Sequence, residues 1–145
     1  MTLNKQERLS VQISEYMNRF VVGYAKMLEH DLTAPQYLII QILNDSELKN
    51  CSELAEELDV TLPAVTNLTK KLVDKGYIER ITPETDRRSV YLQLTEQGRE
   101  VKARMLEKYE ELTKPLWDNL TEQEIDALLN AYEKMVSLLP VGKRL

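Results

Sequence analysis

Apolar positions recur at three- and four-residue steps over most of the chain and at two-residue steps over one short stretch, which predicts a helical protein interrupted by a single β-hairpin. Leu9, Ile13, Tyr16, Phe20, Tyr24 and Met27 or Leu28 make one stripe on a first helix over 5–30. Thr33 is placed to cap a second helix with Pro35 in its first turn, where a missing N–H costs nothing. Its buried face is expected to be Tyr37, Leu38, Ile40 and Leu43, and Asn44-Asp45-Ser46 ends it. Asn50-Cys51-Ser52-Glu53 offers a cap with a carboxylate three residues on, opening a two-turn helix with Leu54, Ala55 and Leu58 inside.

Thr61 with Pro63 is again a cap plus first-turn proline, and Val65, Leu68, Leu72 and Val73 repeat at helical spacing up to Gly76, which can close a helix in the left-handed conformation. The period then changes to two over 77–81 and 89–94, clearest in Val90, Leu92 and Leu94, with a turn over 82–86. Thr95 caps a long charged helix running past Tyr109 and Leu112, which Pro115 should kink or restart. Thr121 and Glu124 form a capping box for a last helix carrying Ile125, Leu128, Leu129, Tyr132, Met135, Val136 and Leu139, ended by Pro140 and Gly142.

A short helix, a tight turn at Asp59-Val60, a second helix from Thr61 and then a hairpin is the order of a helix-turn-helix followed by a wing. If Val65, Leu68 and Leu72 are buried, the opposite face presents Pro63, Ala64, Thr66, Asn67, Lys70 and Lys71, with Thr61 at its start as a further candidate for DNA contact. Asn67 can make two hydrogen bonds to adenine, Thr66 can bond a base or phosphate, and Ala64 can touch a thymine methyl. Lys70 and Lys71 would neutralise phosphates. These residues are equally compatible, one by one, with a solvated helix face. At the hairpin tip, Asp86-Arg87-Arg88 is either a solvated turn with a local ion pair or a device in which Asp86 orients an arginine for a narrow minor groove.

Composition narrows the alternatives. The 145 residues, 43% hydrophobic, suffice for one domain or a small domain with an oligomerisation extension. With one cysteine, Cys51, and one histidine, His30, no disulfide or zinc scaffold is expected. Cys51 reads as a small structural residue, and His30 as a residue at a helix C-terminus rather than a catalyst. No phosphate-binding glycine loop, catalytic triad spacing or metal motif occurs, so neither an enzyme nor a cofactor is expected. No apolar run approaches the roughly 18 residues of a membrane span, and the expected location is the cytoplasm. The net charge of −5 is unevenly spread: residues 61–104 hold nine basic and six acidic side chains, +3, against −8 for the rest. A positive centre with acidic ends suits a protein that turns one face to phosphate.

Leu32-Thr33-Ala34-Pro35-Gln36-Tyr37, Ser52-Glu53-Leu54-Ala55, residues 72–80, Asp86-Arg87-Arg88 and Leu94-Thr95-Glu96-Gln97-Gly98 together resemble the MarR family of bacterial transcription regulators, in the right order through nearly the whole chain. The resemblance implies a mainly α fold with a small β-hairpin, in which a winged helix-turn-helix DNA-binding domain over 31–98 is joined to N- and C-terminal dimerisation helices over 1–30 and 99–145. It implies a homodimer, with double-stranded DNA as partner at a pseudopalindromic operator and repression as the function. It further implies a small phenolic or aromatic effector, for which the region of Tyr16, Phe20, Tyr24 and Tyr37 is the candidate pocket. Family members that respond instead to oxidation carry a cysteine in the first helix, and here that helix has none. A winged-helix module that docks a protein is the alternative.

Overall fold

The computed structural model describes residues 2–29 and 31–139. Among these, α1 (Lys5–Met27), α2 (Ala34–Ile42), α3 (Cys51–Leu58) and α4 (Leu62–Asp74) precede an antiparallel hairpin of β1 (Ile78–Ile81) and β2 (Tyr91–Leu94). Two helices, α5 (Glu96–Asp118) and α6 (Glu122–Leu138), follow. His30, Pro140 and Gly142, to which the sequence assigns helix ends, lie outside the described residues.

Side-chain caps set the helix starts. Thr33, Thr61, Thr95 and Thr121 each accept a hydrogen bond from the backbone N–H three residues on, satisfying a donor that the helix itself leaves unpaired. In α2 the cap is reciprocal, because the Gln36 side chain accepts the Thr33 N–H at 3.0 Å. At α3, Asn50 accepts from the Glu53 N–H at 2.8 Å, and the Asn50 side chain rather than the carboxylate supplies the cap. Gly76, at φ +83°, makes the left-handed turn between α4 and the hairpin.

The core gathers Ile39, Ile40 and Leu43 of the α2 region, Leu54, Val65 and Leu72 of the helix-turn-helix, and Val101 and Met105 of α5. Tyr77, Ile78, Leu92 and Leu94 close it from the hairpin. Leu38, expected on the buried face of α2, is instead 42% exposed, and Ile39 takes the place assigned to it. In the unbroken run Leu38-Ile39-Ile40 the apolar pattern alone leaves the helix phase open. Thr69, which periodicity overlooked, is buried and donates its hydroxyl to the Thr66 carbonyl at 3.1 Å.

The hairpin is shorter than the two-residue alternation suggests, for residues 77, 89 and 90 fall outside its strands and Val90 is exposed. A further backbone bond, from the Leu92 N–H to the Lys49 carbonyl at 2.8 Å, ties β2 to the residues just before α3. The α5 helix runs uninterrupted through Pro115 rather than restarting there. A mid-helix proline leaves a carbonyl without its donor. Nearby side chains bond to backbone carbonyls, Thr113 Oγ1 to Tyr109 at 3.0 Å and Asn119 Nδ2 to Pro115 at 2.7 Å.

At the two ends the protomer keeps its apolar residues outside. Neither α1 nor α6 has a buried residue, and Leu9 (61% exposed), Leu129 (56%) and Val136 (68%) face outward. Apolar surface repeated along two whole helices is more than the singly scattered exposed hydrophobics of an ordinary surface.

Candidate nucleic-acid interface

Every residue that the sequence assigns to base or phosphate contact is exposed. Pro63, Ala64, Thr66, Asn67, Lys70 and Lys71 lie on the outer face of α4, with Thr61 at its cap and Val65, Thr69 and Leu72 turned into the core. Small residues occupy the first turns and the lysines come later. That gradient lets the N-terminal half approach a surface closely while the charge sits further along the helix. Two of the candidates already have partners. Thr61 Oγ1 accepts from the Ala64 N–H at 3.3 Å, which leaves its O–H to donate. Thr66 Oγ1 donates to the Leu62 carbonyl at 2.9 Å, so the hydroxyl is left as an acceptor and the methyl as an apolar contact. Asn67 makes no side-chain hydrogen bond among the described residues, and both its donors and its acceptor are available.

The wing tip is built from two successive turns, closed by Asp86 N–H to the Pro83 carbonyl and Ser89 N–H to the Asp86 carbonyl, each at 3.3 Å. Asp86 is the pivot between them. Its carboxylate accepts from the Ser89 hydroxyl at 2.8 Å and from the Arg88 backbone N–H at 3.1 Å, and these bonds hold the carboxyl below its ordinary range. An ion pair between Asp86 and Arg87 or Arg88, one of the two roles the sequence allows, is not formed. Asp86 therefore acts on the backbone that carries the arginines, in the manner of an Asx-turn.

The charge map also sharpens. Of the nine basic residues in 61–104, four are engaged inside the protomer. Arg99 holds Asp45 with two bonds of 3.1 Å, and Arg104 holds Glu29 at 2.8 and 3.2 Å. Each pairing lowers the pKa of the carboxyl, chiefly through the hydrogen bond from its arginine. Lys102 Nζ donates to the Leu43 carbonyl at 2.7 Å, and Lys75 Nζ to the Asp31 carbonyl. Lys70, Lys71, Arg80, Arg87 and Arg88 form no salt bridge among the described residues. Within residues 61–104 the unpaired positive charge thus lies on α4 and the wing. Arg80, exposed on β1 opposite Leu92, belongs to it although neither the wing motif nor the helix periodicity pointed there.

The four aromatic residues proposed as a pocket fall in two places. Tyr16 and Phe20, with ring centroids 5.5 Å apart, line a cavity of about 520 Å³ with Tyr109, Trp117, Leu128 and Tyr132. Tyr24 and Tyr37 stack at 5.8 Å where α1 meets α2, and the Tyr24 hydroxyl is buried without a partner. Cys51 Sγ lies 3.6 Å from Thr69 Oγ1, at the contact between α3 and α4. Among the described residues no cluster of metal-ligating side chains occurs, and no helix is long and apolar enough to cross a membrane.

If Asp86 serves the arginines through the backbone, Asp86→Ala should weaken binding to DNA even though it removes a negative charge from the candidate DNA face. A loss of about fivefold is expected, the equivalent of about one hydrogen bond. Equilibrium binding by fluorescence anisotropy decides between the two signs, since an aspartate with no positioning role would give tighter binding on removal.

The MarR family model matches residues 32–90, the stretch from the α2 cap to the wing. The chain is 30% identical over 110 residues to the HTH-type transcriptional regulator YpoP of Bacillus subtilis, covering 76% of this chain and 78% of that protein. Similarity to the HTH-type transcriptional regulator SarZ of Staphylococcus aureus is also 30% over 109 residues, covering 75% of this chain and 72% of SarZ. Among solved structures, FabT of Streptococcus pneumoniae, crystallised in complex with DNA, superposes with a TM-score of 0.74 at 27% identity, covering 94% of this chain and 100% of FabT. The fold, the order of elements and these relatives agree, and the chain belongs to the MarR family of winged helix-turn-helix transcription regulators.

Proposed function

We propose that this regulator is a repressor that binds double-stranded DNA as a homodimer at a pseudopalindromic operator. In this reading Pro63, Ala64, Thr66 and Asn67 read base edges in the major groove. Lys70, Lys71 and the Thr61 hydroxyl hold phosphates, and Arg87 or Arg88 enters the minor groove. The observation that carries it is the division of the cations: those on α5 are tied to carboxylates and carbonyls, whereas those on α4 and the wing stand exposed without ionic partners. That FabT, which shares this fold, was crystallised in complex with DNA supports DNA as the partner.

Dimerisation would come from the helices over 1–30 and 99–145, leaving 31–98 as the DNA-binding unit. The outward apolar residues of α1 and α6 favour this division, since among the described residues Leu9, Leu129 and Val136 stay exposed. A small aromatic or phenolic effector would release the protein from DNA. The cavity lined by Tyr16 and Phe20 has the volume of a small-ligand site. A protein-docking role for α4 has one observation in its favour, the 47% exposure of Leu62, but the remainder of that face is small or polar.

The test is retention of fragmented genomic DNA from the source organism by the immobilised protein, followed by sequencing, with and without phenolic compounds. A reporter placed behind each retained fragment gives the sign of regulation. Enrichment of a few fragments, lowered reporter output and release by a phenolic compound are expected. Recovery of no fragment above background would leave the protein-docking reading in its place.

A further inference from the structure

Bonds from two sides converge on the turn between α1 and α2. From α5, Arg104 grips Glu29 with both carboxylate oxygens engaged, at 2.8 and 3.2 Å. From the far end of the DNA-facing helix, Lys75 donates to the Asp31 backbone carbonyl and, at 3.3 Å, to Gln36 Oε1. Two residues on, the Tyr77 hydroxyl donates to the Asp31 carboxylate. Gln36 is buried and also accepts the Thr33 N–H at 3.0 Å, so Lys75 is fastened to the capped first turn of α2 rather than to a wandering side chain. The bond to Asp31, together with burial, pushes the Tyr77 pKa up to about 12, which keeps its proton in place as a donor.

These links join the end of the helix proposed to read DNA to α5, one of the helices proposed to form the dimer. The hydrophobic core already holds the neighbourhood together through Leu72, Tyr77 and Ile78. What the core alone fixes poorly is direction, because apolar contacts are non-directional whereas hydrogen bonds define angles.

We infer that Glu29, Asp31, Lys75 and Tyr77 act as a joint that sets the angle at which α4 is presented, and thereby the half-site spacing the dimer accepts. The inference rests on the proposed DNA-binding dimer. Two linked binding units gain from each other only as far as their geometry matches both sites at once. A looser joint leaves each unit able to bind one half-site while the gain from the second falls.

The test uses Tyr77→Phe, which keeps the buried ring, and Glu29→Gln, which alters the exposed pair on the α5 side. Each variant, checked for wild-type circular dichroism, is titrated against DNA with one half-site, with two at natural spacing, and with two whose spacer is a single base pair longer or shorter. Binding to one half-site should stay within about twofold of wild type, while the advantage of two over one falls about tenfold and the spacing preference flattens. Unchanged ratios and spacing preference would overturn the inference. So would an equal loss on one half-site and on two, since the bonds would then only hold the fold together. If the wild type gains nothing from a second half-site, the dimer reading has failed first and takes this one with it.

Discussion

Replacing Arg87 and Arg88 together by alanine is expected to weaken operator binding by about a hundredfold or more at moderate salt, with the slope of log affinity against log salt reduced by about two to four. In the proposed dimer four guanidinium groups would be lost. Neither arginine has an ionic partner among the described residues, so the fold should be indifferent to the change, with the melting temperature moving by about 1 °C or less. The remaining lysines of α4 would preserve some affinity. A double variant that binds every DNA as well as wild type would remove the wing from the interface.

Gly98→Ala should do the reverse and attack the fold. A Cβ at this position would stand 2.0 Å from the Tyr77 carbonyl oxygen, a backbone atom that cannot rotate away. That same carbonyl accepts the Thr95 N–H at 3.0 Å, and Thr95 Oγ1 donates to the Gly76 carbonyl at 2.6 Å. Relieving the clash would therefore part the start of α5 from the root of the hairpin. A destabilisation of about 3 kcal/mol, or about 10 °C in melting temperature, is expected at fixed protomer concentration. Gly23→Ala is the contrast, since its Cβ would meet only the Leu112 side chain, at 3.2 Å, and a shift of about 1 kcal/mol or less is expected. Equal effects at the two glycines would show that the close approach at Gly98 is not what holds α5 to the wing.

These two residues also illustrate what sequence can and cannot disclose. The stretch Leu94-Thr95-Glu96-Gln97-Gly98 was visible as a motif, and Thr95 was readable as a cap, because capping is local chemistry acting over three residues. The reason for the glycine was not, since it depends on a carbonyl twenty-one positions back in the chain. Thr33, Thr61 and Thr121 were legible for the same local reason, and so was the left-handed turn at Gly76.

Long-range partners defeated the charge count. Arg99, Lys102 and Arg104 add to a basic centre when residues are tallied along the chain, yet their partners Asp45, Leu43 and Glu29 lie 54, 59 and 75 positions away. The sequence leaves Asp86 with two roles, because nothing in its spacing distinguishes a bond to a guanidinium from the bond it makes to the Arg88 backbone N–H. Where apolar residues run together in α2 the pattern leaves the helix phase open, which is why it does not single out Leu38 as the exposed member of the run. The aromatic residues of α1 share one stripe in sequence, but α5 divides their surroundings: Phe20 packs on Tyr109, 5.7 Å between centroids, while Tyr24 packs on Tyr37.

In the proposed complex one dimer lays two α4 helices and two wings on one stretch of duplex. Footprinting of a retained genomic fragment with hydroxyl radicals tests it most directly. Two protected half-sites are expected, their centres about 10 base pairs or a multiple apart, with minor-groove protection beside each that disappears in the Arg87→Ala, Arg88→Ala variant. A single protected half-site, or a wild-type pattern in that variant, would contradict it.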